Sequence, residues 1–345
     1  MIMNDRIKYY ILKTALSAVL IISAGGPSLA ARYGGEFLQI GVGGRAMSMG
    51  GAFAAIADDG SAFYWNPAGC ARLYKMQFSG MYAPLYGGFG SSLADYHHLG
   101  FTMPFAGSTI GINWIRLTVP DIPRFPDFTG LDYNSRMNLI LNSNGSPSGY
   151  FSDIEEAFFI SFARMNIFKL DFGWQYFILP IEIPMGVNFK IIRQTLGEYS
   201  SFGMGVDGGI QFKFSLADLL NVKELGYFSL GMNYQDLTRT GVDWGDNGVD
   251  AIPPNLKWGM SIDQDLPWIN GVAVLAFDQD QRWGGENHFG AEFIFHKVLA
   301  LRTGYQYHGW TVGAGGKYKS FALDYAFLNT DLGAVNRISA SYFLP

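Results

Sequence analysis

The sequence predicts an all-β protein: a transmembrane antiparallel β-barrel of about fourteen strands, with an N-terminal hatch or plug segment in its lumen. Three observations predict it. Only 15% of the 345 residues are charged, against roughly 25% in an average soluble domain, while 16% are aromatic. From about Met185 onward, bulky apolar side chains alternate with small or polar ones, the period-two pattern of strands with one apolar face. The alternating runs reach about 10–12 residues, longer than the usual globular strand and suited to a tilted crossing of a bilayer. A closed sheet also pairs every backbone N–H and C=O within hydrocarbon, where no water can.

Composition removes the competing classes. Apolar side chains are plentiful and the net charge is −5, which excludes a disordered chain. The single Cys70 excludes a disulfide framework. Basic residues are outnumbered 24 to 29 and form no run, so no nucleic-acid partner is expected.

Residues 1–30 read as a signal peptide. Arg6, Lys8 and Lys13 precede the short apolar stretch 15–22, and Ser28-Leu29-Ala30 is a small-residue exit. Export through a cleavable signal and a place in the bacterial outer membrane are the expected localisation. Residues 31–73 form the hatch segment and 74–345 the barrel.

Strands are expected at 75–83, 95–105, 108–119, 154–165, 183–197, 202–214, 226–238, 255–264, 271–281, 287–297, 299–308, 310–319, 320–329 and 335–344. Strand-like pieces in 166–182 leave the count open by two. Met185, Val187, Phe189 and Ile191 alternate with Gly186, Asn188, Lys190 and Ile192. Leu256, Trp258, Met260 and Ile262 alternate with Lys257, Gly259, Ser261 and Asp263. Bulky residues on every apolar face suit lipid outside and water or a polar plug inside. With both termini periplasmic, Pro104-Phe105-Ala106-Gly107 is a periplasmic turn. The long connection 120–153 and the Gly/Asp-rich 239–254 then fall on the outer side, and 215–225 is a short periplasmic helix.

Residues 36–73 do not alternate; they are glycine-punctuated, with a helix-like piece from Gly51 to Ala57. They contain Gly41-Val42-Gly43-Gly44-Arg45-Ala46, Met49-Gly50-Gly51-Ala52, Asp58-Asp59 and Trp65-Asn66-Pro67-Ala68-Gly69. This stretch resembles the N-terminal signature of PorV/PorQ-type proteins of the FadL outer-membrane superfamily. The resemblance continues through the barrel, including Leu323-Asp324-Tyr325-Ala326. It implies a fourteen-stranded barrel with a luminal hatch. It further implies either a PorV-like accessory of type IX secretion, engaging secretion proteins and cargo C-terminal domains, or a FadL-like passive conduit for hydrophobic small molecules such as long-chain fatty acids. A structural barrel without transport is the third reading. Cys70 departs from the usual Leu, and Pro345 from the usual terminal aromatic, with Phe343 nearby.

The hatch motif supplies the first candidate residues: Gly43, Arg45, Met49, Gly50, Gly51, Asp58, Asp59, Trp65, Asn66, Pro67, Ala68 and Gly69. Pro67 fixes φ and Asn66 can bond its own backbone, so the pair makes a rigid turn, with or without a gating role. Asp58 and Asp59 bond hatch to wall or form a plain surface turn. The polar lumen set is Asn188, Lys190, Asp207, Gln211, Lys257, Asp263, Glu292, Arg302 and Asp324. Its mixed sign suits a plug held by polar contacts better than an ion-selective pore.

Other motifs carry less. Gly41 to Ala46 lacks the strand–turn–helix setting of a dinucleotide fingerprint. The acids between Asp243 and Asp250 do not have EF-hand spacing. His288, Glu292 and His296 share a lumen face but span about 13 Å, too far for one metal. His97 and His98 point to opposite faces. No Ser/His/Asp spacing suggests catalysis, so a non-enzymatic protein without cofactor or metal, surrounded by outer-membrane lipid, is expected.

Overall fold

The computed structural model describes residues 35–87, 92–125, 130–142, 146–171, 173, 178–282, 285–307, 309–331 and 333–344. The signal-peptide reading of 1–30, and residues 31–34, lie outside this set. The strands begin with β1 (Gln77–Leu85), β2 (Ala94–Phe105), β3 (Ser108–Arg124), β4 (Gly149–Arg164), β5 (Ile167–Asp171) and β6 (Ile178–Glu182). They continue with β7 (Met185–Leu196), β8 (Tyr199–Ser215), β9 (Tyr227–Gln235), β10 (Gly241–Asp243), β11 (Val249–Ala251) and β12 (Asn255–Leu266). The last are β13 (Gly271–Asp280), β14 (Glu286–Phe295), β15 (Leu299–Gln306), β16 (Gly309–Tyr318), β17 (Phe321–Thr330) and β18 (Gly333–Phe343).

Fourteen of these close into one antiparallel ring, with β4 beside β7, β9 beside β12 and β18 beside β1. The closing seam runs from Gln77 opposite Phe343 to Tyr82 opposite Ile338. Among the described residues no helix is long and apolar enough to cross a membrane. The rim where β1 begins and β18 ends is called the terminal rim below, and the opposite one the far rim.

The alternation is inside out, as the sequence requires. On β7, Phe189 is 57% exposed and its neighbour Lys190 only 4%. An exterior of Phe, Leu, Ile and Met over a polar interior is stable only against lipid.

Four expectations change. β3 and β4 are 17 and 16 residues long, so the long connection shrinks to 125–148 and carries a helix, Tyr133–Asn142. The strand-like 166–182 becomes the β5–β6 hairpin, outside the ring and paired to the end of β8 through Ile181 and Phe214. Segment 239–254 likewise becomes the β10–β11 hairpin, which lays Val242 against Gly203 of β8. His296 leaves the strand: it sits at φ 50° in the tight turn after Phe295 and so shares no face with His288 and Glu292. The expected short helix after β8 is present at Leu216–Leu220.

The interior changes character along the axis. Buried positions of β1 run Gln77, Met81, Ala83, Leu85 from the terminal rim outward, and those of β3 run Thr109, Asn113, Ile115. The neighbouring strands agree, with Leu328 and Val335 buried near the far rim. Across the lumen, β7 to β14 instead bury Lys190, Asp207, Asn233, Lys257 and Asp278.

Candidate functional site

The candidate site is the segment from Gly35 to Leu73 together with the two cavities on either side of it. After a 3₁₀ turn at Glu36–Gln39, its first α-helix is Gly44–Ser48, and the expected helix-like piece from Gly51 to Ala57 is not helical. Gly50 and Gly51 stand at φ 65° and 77°, which ends the helix, and the Phe53 and Ala54 N–H groups donate to Asp278 Oδ2 at 2.8 and 2.7 Å.

Glycines of the wall receive the segment's backbone. Gly290 and Gly304 face each other across β14 and β15, and a methyl group on either would collide with Met49 or Gly50. Gly186 and Gly209 form a second cross-strand pair, against Pro67 and Asn66. Gly231 takes Ala54 in the same way, and Gly313 takes Ser48. These seats lie on β7, β8, β9, β14, β15 and β16, so the segment is held from several sides of the ring.

Polar side chains then satisfy the segment's irregular backbone, which buried peptide groups require. Asn188 Nδ2 donates to Phe63 O at 2.6 Å, Asn233 Nδ2 to Trp65 O at 2.9 Å and Gln211 Nε2 to Ala54 O at 3.1 Å. Thr311 Oγ1 donates to Ser48 O at 2.9 Å, and Arg337 Nη2 to Ile40 O at 2.6 Å. The Asn66 turn forms as its chemistry suggests: its Oδ1 accepts from Ala68 N at 3.1 Å. Its Nδ2 reaches Ala54 O and Ile210 O, joining segment to wall. Gly69 is glycine because a side chain there would overlap the Ala57 carbonyl. Trp65 Nε1 donates to Val42 O at 2.7 Å, and Lys257 Nζ stands 4.7 Å above the Trp65 ring.

The charges form pairs. Arg45 reaches Glu292 at 2.8 Å on one side and Asp58 on the other, with Gly43 capping its helix. Arg302 joins Glu292 at 2.6 Å to Asp324 at 2.7 Å. Lys190 bridges Asp207 and Asp236, each at 2.7 Å, and Lys257 meets Asp280 at 3.0 Å. Asp263 pairs with Lys213 and makes no hydrogen bond to the segment among the described residues. Asp58 and Asp59 both turn toward Arg45, so they tie the segment to itself, and Arg45 carries the link to the wall. Burial pushes the Asp59 carboxyl up, against the pull of Arg45 and Ser61. Burial, with Asp59 adding to it, pushes the Cys70 thiol up to about 12.

Sequence reasoning missed Asp278, Asn233, Thr311 and the glycine seats as contact residues. The available signal was parity: each falls on the face that opposes the bulky residues of its strand. The acids Asp243 and Asp250 accept from Gly245 N and Trp244 Nε1, each at 2.9 Å, and no metal-ligating group occurs among the described residues.

Two cavities flank the segment. A vestibule of about 780 Å³ lies toward the far rim, with Leu85, Leu93, Leu117, Val119, Leu328 and Val335 on one wall. Opposite stand Lys257 and Arg282 with Asp280 and Glu286, while Arg337 and Asp331 lie beside Val335 on the same side as the leucines, three charges of each sign in all. Leu38, Ile40, Tyr64 and Trp65 of the segment form its floor. A chamber of about 500 Å³ lies toward the terminal rim, where charged side chains such as Arg72, Lys297 and Lys317 stand among apolar ones such as Leu73, Val298 and Phe343.

Residues 17–93 match the model of an uncharacterised protein family, UPF0164. No curated protein matches the chain. Among solved structures, the monoaromatic hydrocarbon channel CymD is similar at 10% identity and TM-score 0.50, over 88% of this chain and 98% of that one. The toluene transporter TodX of P. putida is similar at 11% identity and TM-score 0.47, over 88% and 99%. A FadL homologue of Pseudomonas aeruginosa follows at 12% and 0.42, over 87% and 97%. The likeness to CymD shows a shared barrel fold.

Proposed function

We propose that the protein is a FadL-like outer-membrane channel through which hydrophobic small molecules pass passively, with the 35–73 segment as its hatch. The observation that carries this is the apolar wall of the vestibule. Interior positions of a lipid-embedded barrel are normally polar, yet here Leu85, Leu117, Leu328 and Val335 line one cavity large enough for a small organic molecule. CymD and TodX, which the chain resembles in fold, are described as a monoaromatic hydrocarbon channel and a toluene transporter, and those descriptions support the same class of ligand. Saturable binding of an apolar fluorescent dye to the detergent-solubilised barrel, displaced by toluene or a long-chain fatty acid, is the expected result. A dye that never saturates overturns the reading.

The PorV-like alternative, an accessory of type IX secretion, keeps one observation in its favour. The helix Tyr133–Asn142 has no buried residue and exposes Leu139, Ile140 and Leu141, a surface suited to a cargo domain. Removing 125–148 separates the two: a shuttle loses cargo capture, whereas a conduit with its vestibule intact keeps dye binding.

A further inference from the structure

The chamber at the terminal rim has its own chemistry. Six cations line it: Arg45, Arg72, Lys75, Lys297, Arg302 and Lys317. Four carboxylates accompany them, Asp58, Asp59, Glu292 and Asp324. The carboxylates are already engaged. Glu292 uses both oxygens, one on Arg302 and Arg45 Nε and the other on Arg45 Nη2. Asp324 accepts from Arg302, and Asp58 and Asp59 face Arg45. Lys75, Lys297 and Lys317 make no ion pair among the described residues.

Donors without acceptors line the same chamber. Gln77 is 2% exposed, and its Nε2 has no hydrogen-bond partner; Ser79 Oγ, two residues further along the same face of β1, has none either. Arg72 gives Nε to Gln211 and Nη1 to Glu182, while its buried Nη2 finds no acceptor. A buried amide or guanidinium N–H left without an acceptor is costly, and a group that supplies several acceptor oxygens and negative charge removes that cost. A cation meets the opposite situation, because its natural ligands are occupied.

We propose that this chamber is a binding site for an oxyanion, a carboxylate or phosphate group, entered from the terminal rim and distinct from the apolar vestibule. Arg72, Gln77 and Ser79 hold its oxygens, and Lys297 and Lys317 draw it in by charge. The oxyanion is either a free small anion or the head of an amphiphile. The proposal stands whether or not the vestibule carries apolar ligands.

The test uses the full chain in a neutral detergent, with folding checked by heat-modifiable electrophoretic mobility. Inorganic phosphate, decanoate and decanol are titrated separately at constant ionic strength. Saturation by phosphate identifies a free anion, and saturation by decanoate without phosphate identifies a head group. In either case binding should fall at least tenfold in the rim double variant Lys297→Gln/Lys317→Gln and in Gln77→Leu, while decanol binding is unchanged. The site is overturned if neither anion saturates, or if the variants bind it as the parent does. Loss of decanol binding alone bears on the vestibule and leaves this site standing.

Discussion

Near the far rim, the interiors of β1, β3, β17 and β18 bury Leu85, Ile115, Leu328 and Val335; near the terminal rim, the same strands turn Gln77, Thr109, Asp324 and Ser339 inward. The outer faces of these strands are mainly apolar, with Phe78, Ile112, Leu323 and Ile338 exposed, and Arg116 and Asn336 as exceptions toward the far rim. The difference teaches that on these strands position along the strand decides the chemistry of the lining, whereas across the lumen β12 to β14 keep Lys257, Asp280 and Glu286 at the far rim. Alternation fixes in against out; a second, slower variation along the axis fixes greasy against charged. The segment 35–73 spans the boundary, with Leu38 and Ile40 in the vestibule and Arg45, Asp58 and Asp59 in the chamber.

The largest effect is expected where the two halves lose their partition. Gly304→Val places a branched side chain against the Met49–Gly50 backbone and should unseat the segment. In planar bilayers the variant is expected to conduct ions in large steps where the parent is nearly silent; identical conductance would show that the segment does not separate the two mouths. Next comes the charged half. Glu292→Gln leaves Arg45 and Arg302 without their shared buried carboxylate, a loss of about 3–5 kcal/mol for a broken buried pair. The temperature at which the heat-modifiable form disappears should drop by many degrees, and an unchanged midpoint would remove the ionic clamp from the account.

Smaller is the effect on the apolar half. Leu117→Lys puts a cation on the vestibule wall and is expected to weaken apolar dye binding about tenfold without touching the midpoint. Parent-like dye affinity would mean that the ligand sits elsewhere. The smallest effect is a rate. Cys70 is buried and its thiol is pushed up to about 12, so at pH 8 maleimide should not label the folded protein. The raised value means the folded state favours the thiol form, so the associated stability persists below pH about 9 and is lost as pH rises toward 12. Labelling of the parent at pH 8 would show that the segment leaves its seat unaided, and labelling of Gly304→Val alone would tie Cys70 to that seat.

Much of this was legible in the sequence because strand alternation is a local signal. Met185 to Ile192 reports its own inside and outside without reference to any other part of the chain. The ring of fourteen and its short turns followed from counting such runs. The site was less legible because its contacts are distant: Asp278 binds residues 53 and 54, and Arg337 binds residues 40 and 41. A glycine facing inward reads as a merely small residue until the backbone it receives is known. The stretch from Gly51 to Ala57 reads as helix-like, but the Ala54 and Ala57 carbonyls that a helix would use accept from Asn66 and Gln211 instead. β3 ran past residue 119, and β4 with it, because the register shift between Val119 and Ile122 absorbs Pro120, after which Ile122 and Pro123 pair again with Phe151 and Tyr150.

The seating of the segment bears on how the cylinder comes to exist. Its residues precede every stave in the chain, and its glycine-lined berths are spread over staves made much later. The final seam joins Gln77 to Phe343, the first stave to the last, and so must wait for the whole sequence. The berths of the segment are therefore complete only when the last-made staves are in place.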